Sequence, residues 1–152
     1  MTIDTKDIKR LKEETGAGVM EAKKALEDAQ GNYEEAKKEL MTKVGAKAAK
    51  KADRVTKDGL VASYIHSGGK VGSLVVVACE TDFVAKTDDF MNLCREIAMQ
   101  ICAMDYANVE EVLKDEYLKD SSKTIQDIIN EVIAKVGEKI ELRRFSKLSV
   151  SE

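Results

Sequence analysis

Apolar residues recur along this chain in two kinds of pattern, and the change between them divides it. From residue 1 to about 44 they come three and four apart, the period of one helical face. Ile8, Leu11 and Thr15 mark a first helix over Thr5–Thr15, with Gly16 where a helix-ending glycine belongs. Ala22, Ala25, Leu26 and Ala29 mark a second from Val19 to Ala29, stopped by Gly31-Asn32. Tyr33, Ala36, Leu40 and Val44 mark a third, with Asn32 as its N-cap and Glu35 three residues on. Stripes this narrow bury little. They predict a small appended recognition module rather than an enzyme.

From about Asp58 the pattern changes. Gly59 to Ile65 has strand propensity, Ser67-Gly68-Gly69-Lys70 is turn chemistry, and Val71 to Cys79 is a second strand. The apolar run Leu74 to Ala78 reads as a buried strand. A helix follows from about Asp88 to Met104, burying Phe90, Leu93, Ile97, Ile101 and Met104. Val109 to Leu118 predicts a short, weaker helix. Thr124 to Val136 predicts the clearest one, with Ile125, Ile128, Ile129, Val132, Ile133 and Val136 on one stripe. Thr124 and Asp127 resemble a capping box, and Gly137 ends the helix. Lys139 to Ser149 reads as a third strand. The fold class is therefore α+β: a three-helix unit over residues 1–44, a basic linker over 45–57, and a core over 58–152. That core is a three-stranded antiparallel sheet with helices on one face.

One corner of this plan stands out. Thr81-Asp82-Phe83-Val84, followed by Ala85-Lys86, lies where a strand stops and a helix is about to start. A phenylalanine there, beside an acid and on rigid supports, suits a probe for a partner's surface. A core position for Phe83 is the competing expectation.

Composition narrows the classes. The chain has 152 residues, 43% apolar and 35% charged, with a net charge of −3. Proline and tryptophan are absent, so the core must be aliphatic and helices are favoured. The longest apolar run, Leu74 to Cys79, is far too short to span a bilayer. The N-terminus shows neither a signal-peptide nor an import-leader pattern, so the expectation is a cytoplasmic protein without membrane contact. Between Lys37 and Lys57 eight basic and two acidic residues give a local balance of +6. A solvated helical linker or a patch for RNA or an acidic protein both fit that charge. The stretch lacks aromatics for base stacking, and nucleic acid is not the expected partner.

The search for chemistry returns little. Cys79, Cys94 and Cys102 form no C-x-x-C pair and read as buried small hydrophobes. His66 has no companions at metal-ligand spacing. Gly68-Gly69 lacks the spacing of a phosphate loop. Asp88-Asp89 suits a helix N-terminus better than a catalytic dyad. No catalytic residue, metal ligand or cofactor site is expected, and the features favour a protein that works by touching another.

Three segments carry a resemblance. Thr15-Gly16-Ala17-Gly18-Val19-Met20-Glu21-Ala22-Lys23-Lys24-Ala25-Leu26 resembles the N-terminal signature of the elongation factor Ts family. Gly31-Asn32-Tyr33-Glu34-Glu35-Ala36 extends it and is similar to the last helix of ubiquitin-associated domains. Cys79 to Lys86 resembles the family's second signature. Lys135-Val136-Gly137-Glu138-Lys139-Ile140, with Arg143-Arg144-Phe145, resembles its C-terminal motif. The resemblance implies a guanine-nucleotide exchange factor that binds the GTPase domain of elongation factor Tu without binding nucleotide itself. It implies that Thr15, Gly16, Ala17, Gly18 and Val19 meet the GTPase, unless the glycines serve only the turn between helices. It implies that Thr81, Asp82, Phe83 and Val84 form the element that displaces magnesium, with Phe83 as the wedge. Longer relatives insert a second core subdomain where this chain has only residues 106–124 between Asp105 and Ile125. Contacts that region makes, including those between two copies in a homodimer, are left open. Outside the resemblance, a ubiquitin-associated-like adaptor and an RNA-binding protein remain as readings.

Overall fold

The computed structural model describes residues 2–151. Three helices come first: α1 (Thr5–Thr15), α2 (Val19–Asp28) and α3 (Tyr33–Ala49). Local chemistry sets their ends. The Asp4 carboxylate accepts from Lys6 N–H and starts α1, and the Asn32 side chain accepts from Glu35 N–H and starts α3. Leu11, Ala22, Ala25, Leu26, Ala36, Leu40 and Val44 close a small core between them. The third pattern, read as far as Val44, continues through Gly45 to Ala49, because Ala46, Ala48 and Ala49 favour helix.

The second core is built on a sheet of β1 (Asp58–Ile65), β2 (Val71–Cys79) and β5 (Ile140–Ser149), all antiparallel in the order β1-β2-β5. Between the second and third of these strands come α4 (Asp82–Ala85), α5 (Asp88–Ala103), α6 (Val109–Lys114), β3 (Glu116–Tyr117), β4 (Asp120–Thr124) and α7 (Ile125–Val136). Helices cover one face of the sheet. Ser73, Val75, Val77 and Cys79 point inward toward Phe90, Cys94, Ile97 and Ile101 of α5 and the isoleucine stripe of α7. The expectation of a strand buried throughout Leu74 to Ala78 is corrected: Leu74 is exposed and Val76 only half-buried. They belong, with Val61, Ile65 and Leu148, to the sheet face that no described helix covers.

Two local readings also change. The helix expected over Val109–Leu118 ends at Lys114, and residues 116–124 form the β3–β4 hairpin, which the sequence did not suggest. The cause lies in another element. Buried Gln100 of α5 donates to Glu116 O at 2.8 Å and accepts from Leu118 N–H at 3.0 Å, bonding the hairpin backbone as a strand would. The Thr124–Asp127 capping box is formed in both directions, and Gly137 ends α7 with φ of 76°.

The two cores are joined. Helix α3 packs on α7, and its Ala48 belongs to the larger core. Lys123 of β4, almost fully buried, donates to Glu14 O at the end of α1 at 2.7 Å and forms an ion pair with Glu131 of α7. Residues 50–57 are strapped down by Arg54, which reaches Glu80 and Gly137 O, and by Arg143, which donates to Thr56. Arg143 is skipped in the pairing where β5 bulges opposite Val76–Val77.

Candidate functional site

Strand β2 ends at Cys79, and Glu80 and Thr81 lead into α4, a single turn of helix. The Thr81 hydroxyl caps it by accepting from Val84 N–H at 3.4 Å. At the other end the Thr87 hydroxyl donates to Val84 O at 2.7 Å and accepts from Phe90 N–H at 3.2 Å. One side chain thus closes α4 and starts α5. Val84 and Ala85 are buried in the larger core, which leaves the two residues before them outside. Phe83 is 82% exposed, more than any other large apolar side chain among the described residues. Asp82 is exposed and pairs with Lys86 at 3.3 Å.

The four residues of this corner therefore divide. Phe83 and Asp82 face solvent, Thr81 caps, and Val84 anchors. A phenylalanine ring held in water forfeits about 1.5–3 kcal/mol that burial would return. Scattered exposed leucines and valines are ordinary; among the described large apolar side chains this ring is the most exposed and so has much to gain from a second surface.

The five turn residues of the helical unit divide in a similar way. Thr15 is buried, and its hydroxyl donates to Leu11 O at 2.7 Å and accepts from Ala17 N–H at 3.2 Å. Ala17 is buried too. Gly16 lies against α7, where an added Cβ would stand 2.3 Å from Glu131 O, so its close backbone neighbour is in its own chain. Gly18 and Val19 are exposed. So is Met20, 74% exposed, which the sequence reading placed in the motif but not among the contact residues. The signal was available: Met20 sits on the opposite side of α2 from Ala22, Ala25, Leu26 and Ala29, so it has no place in that core. Glu21 accepts from Gly18 N–H at 3.2 Å and pairs with Lys47 of α3, bracing this tip.

Burial pushes the Cys79 thiol up to about 11, with Glu138 and Asp58 adding to the effect, so it stays protonated near neutrality. Burial pushes Cys94 up to about 12. No cluster of His, Cys, Asp and Glu among the described residues could hold a metal ion, and no described helix is long and apolar enough to cross a membrane. The arrangement can present apolar groups to another surface.

Fold and site together define an α+β protein whose outward chemistry is a projecting aromatic ring and an apolar helix tip. Comparison with known proteins gives that class a family. The family model described as elongation factor TS matches residues 80–152. An elongation factor Ts of Desulforamulus reducens is 39% identical over 190 aligned positions, covering 95% of this chain and 88% of the relative. One from Thermoanaerobacter is 40% identical over 195 positions, covering 99% and 96%. One from Clostridium kluyveri is 45% identical over 145 positions, covering 95% of this chain and 47% of the relative. The chain belongs to the elongation factor Ts family, a family of translation elongation factors. The first two alignments are longer than the chain itself, so those relatives carry residues that it lacks.

Proposed function

We propose that this protein is a guanine-nucleotide exchange factor acting in the cytoplasm on elongation factor Tu. It binds the GDP form through the GTPase domain, disturbs the Mg2+ and phosphate site, and promotes GDP release. The observation that carries this reading is the exposed Phe83 ring on the anchored turn α4. A GTPase holds its nucleotide through Mg2+ and groups around the phosphates. Burying one phenylalanine on the partner contributes about 1.5–3 kcal/mol. If the ring fits only when the metal site is disturbed, that energy favours the open, metal-poor state. The coupling is reciprocal: the factor weakens GDP binding, and incoming nucleotide expels the factor. No covalent bond changes in this protein. The Gly18-Val19-Met20 tip supplies affinity by docking on the same GTPase.

The basic stretch does not compete strongly with this reading. Lys37, Lys43, Lys47 and Arg54 are paired with acidic side chains, which leaves less free positive charge for RNA.

Stopped-flow release of a fluorescent GDP from elongation factor Tu tests the proposal. Phe83→Ala leaves the core untouched, because the ring buries almost nothing at home. It should reduce the maximal acceleration by about 10- to 100-fold, the equivalent of the lost burial. Release at the wild-type rate would remove the wedge from the mechanism.

A further inference from the structure

The corner that carries Phe83 is also held from the loop between α7 and β5. Glu138 Oε1 accepts from the backbone N–H of Glu80 at 3.1 Å and of Thr81 at 3.0 Å. Its Oε2 accepts from the Thr81 hydroxyl at 2.7 Å. Glu80 returns the contact, accepting from Lys139 N–H at 2.8 Å and from Arg54 at 3.3 Å. The Lys139 N–H, with Arg54 beside it, holds the Glu80 carboxyl below its usual range. Two carboxylates thus cross-bond two backbones that are far apart in sequence.

The Thr81 hydroxyl explains why this matters for Phe83. It has one proton, and that proton goes to Glu138. Its oxygen is then turned to accept from Val84 N–H and cap α4. A helix of one turn does not hold itself together, because nucleation is unfavourable without outside support. The cap and the buried Val84 and Ala85 supply that support. Without the Glu138 carboxylate the hydroxyl is free to rotate, two backbone N–H groups lose their acceptor, and the lead into α4 loosens.

We infer that Glu138 is the positioning residue for the Phe83 wedge: it fixes the direction of the ring and touches no partner itself. The inference rests on the exchange reading above and deepens it. It predicts a defect that appears only through Phe83.

The test is a double-mutant cycle in the GDP-release assay, with the factor titrated to saturation. Glu138→Ala should lower the maximal acceleration by about tenfold and shift the half-saturating concentration by less than about twofold. Glu138→Gln, which still offers an oxygen to both N–H groups, should recover most of the rate. In a Phe83→Ala background Glu138→Ala should add no further loss. An equal loss in both backgrounds would show general structural damage and overturn the inference. So would a wild-type rate for Glu138→Ala while Phe83→Ala is impaired. If Phe83→Ala itself exchanges normally, the wedge fails and the positioning role fails with it. A second measurement needs no partner. The chain has no tryptophan, so Phe83→Trp is a single fluorescent reporter. Adding Glu138→Ala should lower its residual anisotropy while the circular-dichroism melt still shows a folded protein. Unchanged anisotropy in the folded variant would also overturn the inference.

Discussion

Gly16 has φ of 76°, and an added Cβ would stand 2.3 Å from the Glu131 carbonyl oxygen. An alanine there meets both the left-handed backbone penalty and a backbone atom that cannot swing aside. Gly18 has ordinary backbone angles, and the nearest neighbour of an added Cβ is 3.9 Å away. Gly16→Ala should therefore cost ~2 kcal/mol or more, against under ~1 kcal/mol for Gly18→Ala, which only weakens an N-cap. Urea unfolding midpoints for the two variants check the contrast. The resemblance implied that these glycines meet the GTPase, unless they serve only the turn between helices. Gly16 answers to α7, over a hundred positions along the chain, and nothing near it in sequence signals that. Phe83 lay in the opposite situation. Its place at a strand end suggested an outward ring from local sequence alone, although a core position competed, and the ring lies outside because Val84 and Ala85 fill the core.

Elements whose limits depend on their own residues were legible, and those that depend on a distant side chain were not. Asn32, the Thr124–Asp127 box and Gly137 set helix ends that the sequence located. The β3–β4 hairpin was illegible because Asp120, Ser121, Ser122 and Lys123 carry no apolar alternation and Gln100 organises the backbone from α5. Lys123 shows what such an element can hold. Glu131 Oε1 has no donor aligned with it, so charge binds the pair. Burial pushes the Glu131 carboxyl above its usual 4.5, with Asp127 adding to the rise, while Lys123 and Lys135 oppose it. Lys123→Met should cost about 3 kcal/mol at pH 7, since it strands a buried charge. A raised folded value means the charged form is penalised above it and relieved as pH falls toward 4.5. The deficit relative to wild type should thus narrow between pH 7 and pH 5. Chemical denaturation at the two pH values measures this, and a constant deficit would show that the lost bond to Glu14 O dominates.

On the scale of the whole molecule, the α+β plan was legible because each core is patterned separately. The one-sided cover of the sheet was legible too, but the exposure of Leu74 within β2 was not. Leu74-Val75-Val76-Val77 is continuous, the signature of a strand covered on both sides, yet helices cover only one. The two projecting groups also belong to different cores, which predicts separable kinetics. Replacing Val19 and Met20 together by serine should raise the half-saturating concentration about tenfold with little change in the maximal rate, the reverse of Phe83→Ala. Titration of the factor against GDP release distinguishes the two. Loss of maximal rate in the serine variant would mean that the helix tip does more than dock.

The footing of α4 has a mechanical consequence. Val84 and Ala85 sit among the same side chains that seat α5 and α7. Under the proposed exchange mechanism, a ring driven against the GTPase passes its recoil straight into that bed. A tip on a limber strand would bend away and would have to be frozen at each encounter. The proposed wedge would arrive already stiff, with the yielding left to the other molecule.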